Sequence, residues 1–471
     1  MTTTLEAPVS APARRRIPIW LAIVAASLPM FMATLDNLVM TNALPSIRLD
    51  LNASVEELQW FVNAFTLSFA SFILMAAALG DRFGRRNVFV IGIVVFTIAS
   101  VFSALSTEPW MLIVSRAVQG FGAAAVMPLS LTLLVGSVEN RFRALAIGVW
   151  GGITGLGVAL GPLVGGAVVE GWNWEAIFWL NVPVGIIAIP LALFALPNTF
   201  GEKVRADVVG VLLVGLGVLG LVFGIVRGND AGWDSIQVDG SLVVGAVLIA
   251  AFIWWENRTA APLLPLRLFR DRSFSVANIV GLTFSFGVFG SIFILIQFLQ
   301  VVQGYTPLGA GVATMPWTLA PMVVAPLAGL VAGRVGTRIL VIIGLAFQTT
   351  GIFWLAAVMS ADVAYTTMLP AFIFAGVGMG LVFAPLSTAV LATMKSADHA
   401  KASGTNSTVR EIGVALGIAV LTAVFVGAKG TLTPTGYVDA AIPAIFVGAA
   451  ALALSALIAF ALPAGRAQRE S

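Results

Sequence analysis

Two acidic residues lie inside long apolar segments. An ionisable side chain in such a segment has few uses other than binding and releasing a proton. Asp36 lies in segment 17–44 and Glu411 in segment 405–428. A charged aspartate near mid-membrane costs roughly 2.5–3.5 kcal/mol on insertion scales, so such residues are rare. We predict that Asp36 binds protons reversibly, the alternative being a polar contact that fixes helix packing. Glu411 is equally open to a proton site or a structural ion pair.

Arg116 is a permanent cation inside a third apolar segment, 110–137. Its guanidinium could hold a substrate carboxylate or act electrostatically on a nearby acid. The alternative is a structural bond to backbone carbonyls. Gln119 follows by one helical turn and is expected on the same face.

Other polar and aromatic residues within apolar segments could line a cavity for a small molecule. Tryptophan can hold a ligand by stacking or by cation–π contact, although membrane tryptophans more often lie at interfaces. The predicted cavity residues are Asn63, Thr66, Gln119, Trp150, Gln297, Gln300 and Trp317.

Two further patterns predict moving parts. Gly157, Gly161 and Gly165 recur every fourth residue, and Pro162 removes a helix hydrogen bond, which predicts a smooth and bendable helix between halves that rock. Plain tight packing is the alternative for these glycines. A loop segment combines one acid with several bases, and we predict that its acid latches neighbouring helix ends in one state. Its residues are Asp81, Arg82, Gly84, Arg85 and Arg86.

Composition decides which elements must position these residues. The chain has 471 residues, of which 59% are hydrophobic and 10% charged, whereas an ordinary soluble domain is about 25% charged. Only helices or closed barrels satisfy the backbone in lipid, and these apolar runs do not alternate, so they predict helices. About twenty apolar residues cross a bilayer. Fourteen segments qualify: 17–44, 58–80, 87–105, 110–137, 144–169, 175–197, 208–226, 240–255, 274–302, 309–332, 339–360, 366–393, 405–428 and 441–463.

The basic residues orient these spans. With the N-terminus in the cytoplasm, 20 of the 25 Lys and Arg fall in cytoplasmic loops and tails. Only Arg48, Arg227 and Lys429 fall outside. This bias obeys the positive-inside rule and predicts cytoplasmic N- and C-termini. It also explains the net charge of +3 without nucleic acid.

The same composition excludes several kinds of chemistry. The chain has no cysteine and a single histidine, His399, which excludes disulfides, thiolate catalysis and multi-histidine metal sites. We find no Walker-type phosphate loop and no cluster of catalytic groups. We therefore predict that the chain is not an enzyme and needs no metal or cofactor, and that a proton gradient supplies its energy.

Three short strings recur in the same order at offsets of 252 to 257 residues, which indicates an internal repeat. The pairs are 81–86 with 333–338, 128–130 with 385–387, and 157–161 with 413–417. They relate spans 1–6 to spans 9–14 and leave spans 7 and 8 between the halves. An even number of spans in each half makes the repeat parallel.

Several of these strings resemble the major facilitator superfamily, specifically its fourteen-span drug:proton antiporter branch. The matching stretches are Leu35-Asp36 with 42–45, 79–86, 116–122, 157–166 and 172–183. The chain departs from the family pattern at Ala77, where a glycine is usual, and at Glu175, where a basic residue is expected. The resemblance favours a coupling role for Arg116, and Asp36, Arg116 and Glu411 are together the candidates for proton coupling.

The resemblance implies an all-α membrane protein of two six-helix bundles plus two extra helices. The expected organisation is an N-tail (1–16), a first bundle (17–197), a linker with two extra helices (198–273), a second bundle (274–463) and a C-tail (464–471). The implied function is proton-coupled export of drugs or other small hydrophobic or amphipathic molecules by a monomer in a bacterial cell membrane. The alternatives are an importer or facilitator of a small metabolite or anion and, more remotely, a membrane sensor or enzyme.

Overall fold

The computed structural model describes residues 18–139, 142–201, 207–260, 262–394 and 399–463. Both predicted tails lie outside them. The α-helices are α1 (Ile19–Leu51), α2 (Val55–Phe83), α3 (Arg85–Ala104), α4 (Pro109–Ser137), α5 (Arg143–Gly171), α6 (Ala176–Trp179), α7 (Asn181–Ala195), α8 (Val208–Ala231), α9 (Ile236–Glu256), α10 (Arg272–Gln297), α11 (Pro307–Val335), α12 (Thr337–Val358), α13 (Tyr365–Leu391), α14 (His399–Gly427) and α15 (Pro434–Ala459). A 3₁₀ turn, Leu266–Arg270, precedes α10, and a π-helical turn, Phe298–Val302, follows it.

The predicted all-α membrane fold is confirmed. Within the described residues, thirteen helical segments are long and apolar enough to cross a membrane. The bent α5 makes a fourteenth, with 44° between Val149–Gly157 and Leu160–Gly171. Pro162 accounts for the bend, because it cannot donate a hydrogen bond to the carbonyl four residues earlier.

Local sequence signals set the helix ends. Ser54 and Glu57 form a reciprocal capping box at the start of α2. At the other end of α2, Gly84 has a φ of 101°, and Gly336 repeats this with 93° between α11 and α12. Residues with side chains rarely adopt such angles, so glycine permits both turns. We call the end of the molecule that carries these two turns the basic end, and the opposite end the distal end.

The repeat extends to packing. In the first half α1 packs on α5, α2 on α4 and α3 on α4; in the second half α10 packs on α14, α11 on α13 and α12 on α13. Gly157 and Gly161 lie against Phe31 and Leu38 of α1. Their counterparts in α14 lie equally close to α10.

Helices α8 and α9 stand apart from this symmetry. α8 packs against α2 of the first half and α14 of the second, and α9 packs on α8. An apolar cluster joins Leu67 of α2, Val214 and Val218 of α8, and Ala415 and Ala419 of α14. α8 therefore covers the line where α2 meets α14.

Candidate transport site

The centre of the first half holds a buried ion pair. The Asp36 Oδ2 and Arg116 Nη1 atoms are 2.5 Å apart, and both side chains are almost fully buried. The other carboxylate oxygen of Asp36 accepts hydrogen bonds from Gln119 Nε2 at 2.9 Å and Asn181 Nδ2 at 2.7 Å. Ser100 receives a further bond from Gln119 at 2.9 Å. Four helices, α1, α3, α4 and α7, thus meet at one carboxylate.

The surroundings of Arg116 fix its position. Its Nε donates to the Phe61 carbonyl at 3.1 Å, and its Nη1 also donates to Gln119 Oε1 at 2.7 Å. The Phe65 ring centroid lies 4.4 Å from the guanidinium carbon. Its Nη2 atom is buried without a hydrogen-bond partner among the described residues. Arg116 therefore keeps one donor unused, a buried group that costs free energy until something accepts from it.

Glycine allows the helices to approach closely enough for this network. The Phe65 carbonyl of α2 would overlap a side chain on Gly120 of α4. Gly122 contacts α3 in the same way, with the Phe96 amide nitrogen 2.7 Å from the place of a Cβ. Because these contacts are to backbone atoms, a larger residue would push the helices apart.

This network can couple a proton to a shape change. Protonating Asp36 removes the negative charge opposite Arg116, and a buried cation that loses its partner is strongly destabilised. The guanidinium must then find another acceptor, or the helices must move. Asp36 therefore has the geometry of a proton-dependent contact.

A second polar cluster joins the halves at the distal end. Asn42 of α1 donates to the carbonyls of Pro162 in α5, at 2.9 Å, and Pro307 in α11, at 2.8 Å. Gln300, on the π-helical turn, donates to the Asn42 side chain at 2.9 Å. The Leu308 amide donates to Glu170 at 3.2 Å. We call these residues, with Gly166 and Gly311, the distal latch.

Glycine makes the distal latch possible. A Cβ on Gly166 would overlap the Pro307 carbonyl oxygen. A Cβ on Gly311 would overlap the Pro162 carbonyl oxygen in the same way. Backbones of the two halves thus touch directly at this end of α5 and α11.

The same two helices separate toward the basic end. Among the described residues, nothing lies within 4 Å of a Cβ built on Gly151 or Gly152 of α5 or on Gly329 of α11. On α11, Val323 is 65% exposed and Leu330 is 79% exposed. The α5–α11 seam is therefore closed at the distal end and open at the basic end.

A small cavity lies between the halves directly beside the distal latch. It is lined by Leu38, Thr41, Asn42, Pro162, Ile292, Leu295, Ile296, Thr314, Trp317 and Thr318. Its volume of about 30 Å³ is far below the roughly 300–1,000 Å³ of sites for drug-sized ligands. Trp317 is buried, and its Nε1 has no hydrogen-bond partner among the described residues. A substrate could use this donor only after the cavity widens.

Two other predicted cavity residues are fully buried on α2. Asn63 lacks partners for both amide atoms, and Thr66 lacks one for its hydroxyl, within the described part of the chain. Buried polar groups rarely stay unpaired, so these side chains are free to meet a substrate or water.

The remaining predicted cavity residues are engaged with protein. Gln297 donates to the Phe293 carbonyl of its own helix at 3.1 Å, and Gln300 belongs to the distal latch. Trp150 donates to Ser130 at 3.2 Å on the open half of the α5–α11 seam. The structure thus spreads the predicted set over both ends of the molecule.

Glu411 lies on α14, away from the Asp36 network. It does not pair with Arg410, whose guanidinium carbon is 4.3 Å from the Phe383 ring centroid. Within the described residues no ion pair joins Glu411 to a cation. A proton role for Glu411 stays a prediction.

Most of the predicted moving parts make their contacts inside the first half. Gly157, Gly161 and Gly165 lie against α1, and Gly413 and Gly417, the counterparts of the first two, lie against α10, whereas Pro162 and Gly166 reach the other half. Asp81 pairs with Arg85 at 2.7 Å.

The neighbours of that loop belong to the same half and to the start of the linker that follows it. Arg86 donates to the carbonyls of Leu193 and Leu196. Arg82 lies over its neighbour Phe83, and Gly84 forms the turn beside Asn198. A latch role for Asp81 stays a prediction.

Sequence reasoning missed several residues that the geometry brings forward. Asn181 and Asn42 stood only in family-like stretches, and Ser100 and Gly166 carried no prediction. A polar residue within an apolar span was a usable signal for both asparagines, but their partners lie between 120 and 265 positions away.

Comparison with known proteins agrees with this arrangement. The family model described as Major Facilitator Superfamily matches residues 26–418. Multidrug resistance protein Stp of Mycobacterium tuberculosis (strain CDC 1551 / Oshkosh) is 35% identical over 90% of this chain and 79% of that protein. The tetracenomycin C resistance and export protein of Streptomyces glaucescens is 30% identical over 90% of this chain and 79% of that protein.

Solved structures show the same fold at low sequence identity. A mutant of the nucleoside transporter NupG has a TM-score of 0.66 at 13% identity, covering 94% of this chain and 99% of that one. The xylose transporter XylE from E. coli has a TM-score of 0.63 at 15% identity, covering 96% and 99%. With its repeated halves and its family match over most of its length, the chain belongs to the major facilitator superfamily and is a multi-pass membrane transporter of small molecules, not an enzyme family member.

Proposed function

We propose that this chain is a proton-coupled antiporter that exports drugs or other small hydrophobic or amphipathic molecules across the cytoplasmic membrane by alternating access. The observation that carries the proposal is the buried ion pair between Asp36 and Arg116, in which the charge of the carboxylate balances that of the guanidinium. The names of the relatives, a multidrug resistance protein and an antibiotic resistance and export protein, support export of drugs.

The seam between α5 and α11 supports alternating access. Its distal end is closed by backbone contact and its basic end is open. With the predicted orientation, both termini and the basic end face the cytoplasm, so this state receives substrate from inside. Release to the outside requires the distal latch to open and the basic end to close.

The proton enters this cycle at Asp36. When Asp36 is charged it holds Arg116, Gln119 and Asn181; when it is protonated, Arg116 is free to take another acceptor or to favour the other state. Each proton moving inward brings about 2.3 kcal/mol per 100 mV of membrane potential. The ion pair must therefore open once per cycle. The proton gradient supplies the energy, so no cofactor is needed. The transporter works as a monomer.

Replacing the carboxylate tests the proposal. Asp36→Asn in inverted vesicles should abolish substrate accumulation driven by a pH gradient, because asparagine cannot carry the proton. Equilibrium exchange of substrate without a gradient should persist, which separates lost coupling from lost folding. Asp239→Asn, on the exposed surface of α9, is the matched control and should transport normally.

Full, pH-dependent accumulation by Asp36→Asn would remove Asp36 from the coupling role. The direction of flux in the same vesicles separates an exporter from an importer or facilitator. A panel of dyes, with and without an uncoupler, identifies the substrate class.

The orientation is testable because the chain has no native cysteine. Glu108→Cys at the distal end should react with an impermeant maleimide in intact cells. Asn257→Cys at the basic end should react only in inverted vesicles. The reverse pattern would reject the proposed orientation.

A further inference from the structure

A pair of buried carboxylates lies in the two extra helices, outside both six-helix halves. Asp207 caps the start of α8, and Glu256 is the last residue of α9, so the two helices bring them together at the basic end. Asp207 is 9% exposed and Glu256 is 4% exposed. Acidic side chains are almost never this buried unless they are paired.

The hydrogen bonds of this carboxyl pair are incomplete. Asp207 accepts from the Gly210 amide at 2.8 Å and from Trp255 Nε1, at 2.8 Å on one oxygen and 3.1 Å on the other. Glu256 Oε2 accepts from the Leu264 amide at 3.0 Å. Glu256 Oε1 is buried and has no partner among the described residues.

The unpartnered oxygen of Glu256 and an oxygen of Asp207 lie beside the same glycine, Gly210. A Cβ built on Gly210 would lie 2.8 Å from Glu256 Oε1 and 2.6 Å from Asp207 Oδ2. The two oxygens therefore border the same small space. Glycine at position 210 keeps that space open.

Among the described residues, the elements around the carboxyl pair bring no cation to it. Arg258 lies over the Trp254 ring, at 4.4 Å, and Arg267 and Arg270 stand on the following 3₁₀ turn. In the described part of the chain no ion pair joins a lysine or arginine to either carboxylate.

The other charged groups on the surrounding elements are far from Asp207 and Glu256 in the sequence or lie outside the described residues. On the helices packed against α8 these are Glu56, Glu57, Asp81 and Arg82 of α2, Lys401, Arg410 and Glu411 of α14, and Asp239 of α9; Arg227 stands at the far end of α8. Lys203 and Arg205, which precede Asp207 in the sequence, lie outside the described residues.

We propose that Asp207 and Glu256 form a second proton-binding site, in which one proton is shared between Asp207 Oδ2 and Glu256 Oε1. Two negative charges that border one small buried space repel strongly. Two carboxylates that share a site relieve this by holding a proton between them. An O–H on Glu256 also satisfies its unpartnered oxygen.

The position of the site suggests what its proton controls. Glu256 holds the backbone of Leu264, and Leu263 and Leu264 pack against the apolar cluster of α2, α8 and α14. Losing the proton would drive Asp207 and Glu256 apart and loosen this packing at the basic end. The site therefore senses pH on that side, independently of Asp36.

Proton counting on the purified full-length protein in lipid tests the site directly. Carboxyl groups of ordinary pKa, near 4, have already lost their protons at about pH 6. When the pH is raised from there to alkaline values, the wild-type chain should release about one more proton per molecule than Glu256→Gln, because the pair still holds one proton. The infrared band of a protonated carboxyl group should weaken in the same titration and be absent from the Glu256→Gln difference. Asp239→Asn should match the wild type.

Three further variants test whether poor folding or the transport site accounts for the result. Asp207→Asn retains a helix-capping side chain and should lose the same proton if Glu256→Gln folds poorly. The Asp36→Asn and Glu411→Gln variants should keep the signal, so failure of the proposed transport mechanism would not remove it. Equal proton release by the wild type and both carboxyl-pair variants would overturn the proposal.

Discussion

The α5–α11 seam and the α2–α14 seam join the same two halves but are built differently. Along α5 and α11, the backbones touch at the distal latch, whereas Gly151 and Gly152 of α5 and Gly329 of α11 have open space beside them among the described residues. Along α2 and α14, contact continues into the basic half, where Leu74 lies against Gly404.

α8 reinforces the α2–α14 seam. Its Val214 and Val218 pack on both partners, Arg227 pairs with Glu56 of α2 at 3.1 Å, and Asn229 donates to the Ala423 carbonyl of α14 at 2.5 Å. One seam is thus arranged to open while the other stays together.

Cross-links placed in the two seams should separate them most sharply. Glu170→Cys with Leu308→Cys, joined at the distal latch by a short reducible thiol cross-linker, should stop transport completely, because the latch can no longer open. Leu74→Cys with Gly404→Cys should cross-link and leave most transport intact. Vesicle flux before and after reduction is the measurement, and equal inhibition by both bridges would mean that both seams open.

Filling the distal latch should have the next largest effect. Gly166→Val places a side chain where Pro307 and Leu308 backbone atoms stand, and overpacking costs about 1–3 kcal/mol. That corresponds to a shift of roughly 5- to 150-fold toward the state with an open distal end.

A cysteine-specific label applied to Thr41→Cys from outside should report this shift as faster labelling. Gly151→Val, on the free half of α5, is the matched control and should change neither labelling nor flux. Slow labelling in Gly166→Val would show that the distal contact tolerates a side chain.

Removing the amide that bridges the halves should have a smaller effect. Asn42→Ala loses the hydrogen bond to the Pro307 carbonyl of the other half, worth about 0.5–1.5 kcal/mol net. The bond to Pro162 lies within the first half, and Gln300 keeps its bond to the backbone carbonyl of residue 42. The same labelling assay should show a more open distal end, by a factor smaller than for Gly166→Val. Asn87→Ala, whose amide donates only to the Phe83 carbonyl at the end of the preceding helix among the described residues, should behave as wild type.

Loosening the α2–α14 seam at its surface should matter least. Arg227→Ala breaks the pair with Glu56, but the Arg227 side chain is 36% exposed, and exposed pairs contribute only about 0–1 kcal/mol. Thermal unfolding in detergent should shift slightly, and less at high salt. A loss of transport in Arg227→Ala would show that this end of α8 does more than hold the seam.

Much of this architecture could be predicted because membrane burial constrains the sequence strongly. Continuous apolar runs gave fourteen spans, and repeated strings anticipated the matching packing of α1–α5 and α10–α14. The choice of Asp36, Arg116 and Gln119 as chemical candidates followed from the cost of polar groups in lipid.

The partners of those residues could not be predicted. Asp36 meets Arg116 across 80 positions, and Asn42 meets Pro307 across 265, because helix packing, which periodicity does not encode, decides both contacts. The carboxyl pair was hidden for another reason. Asp207 and Glu256 stand at helix ends, where acids are ordinary, and only their burial in the fold distinguishes them.

One feature of α1 ties the two polar clusters together. Asp36 and Asn42 stand six residues apart on this helix, about 9 Å at 1.5 Å per residue. A small translation or rotation of α1 would displace Asp36 and Asn42 together, and would disturb the contacts of both. A change in the charge of Asp36 can therefore be transmitted along α1 to the distal latch, without a series of side-chain contacts across the interior.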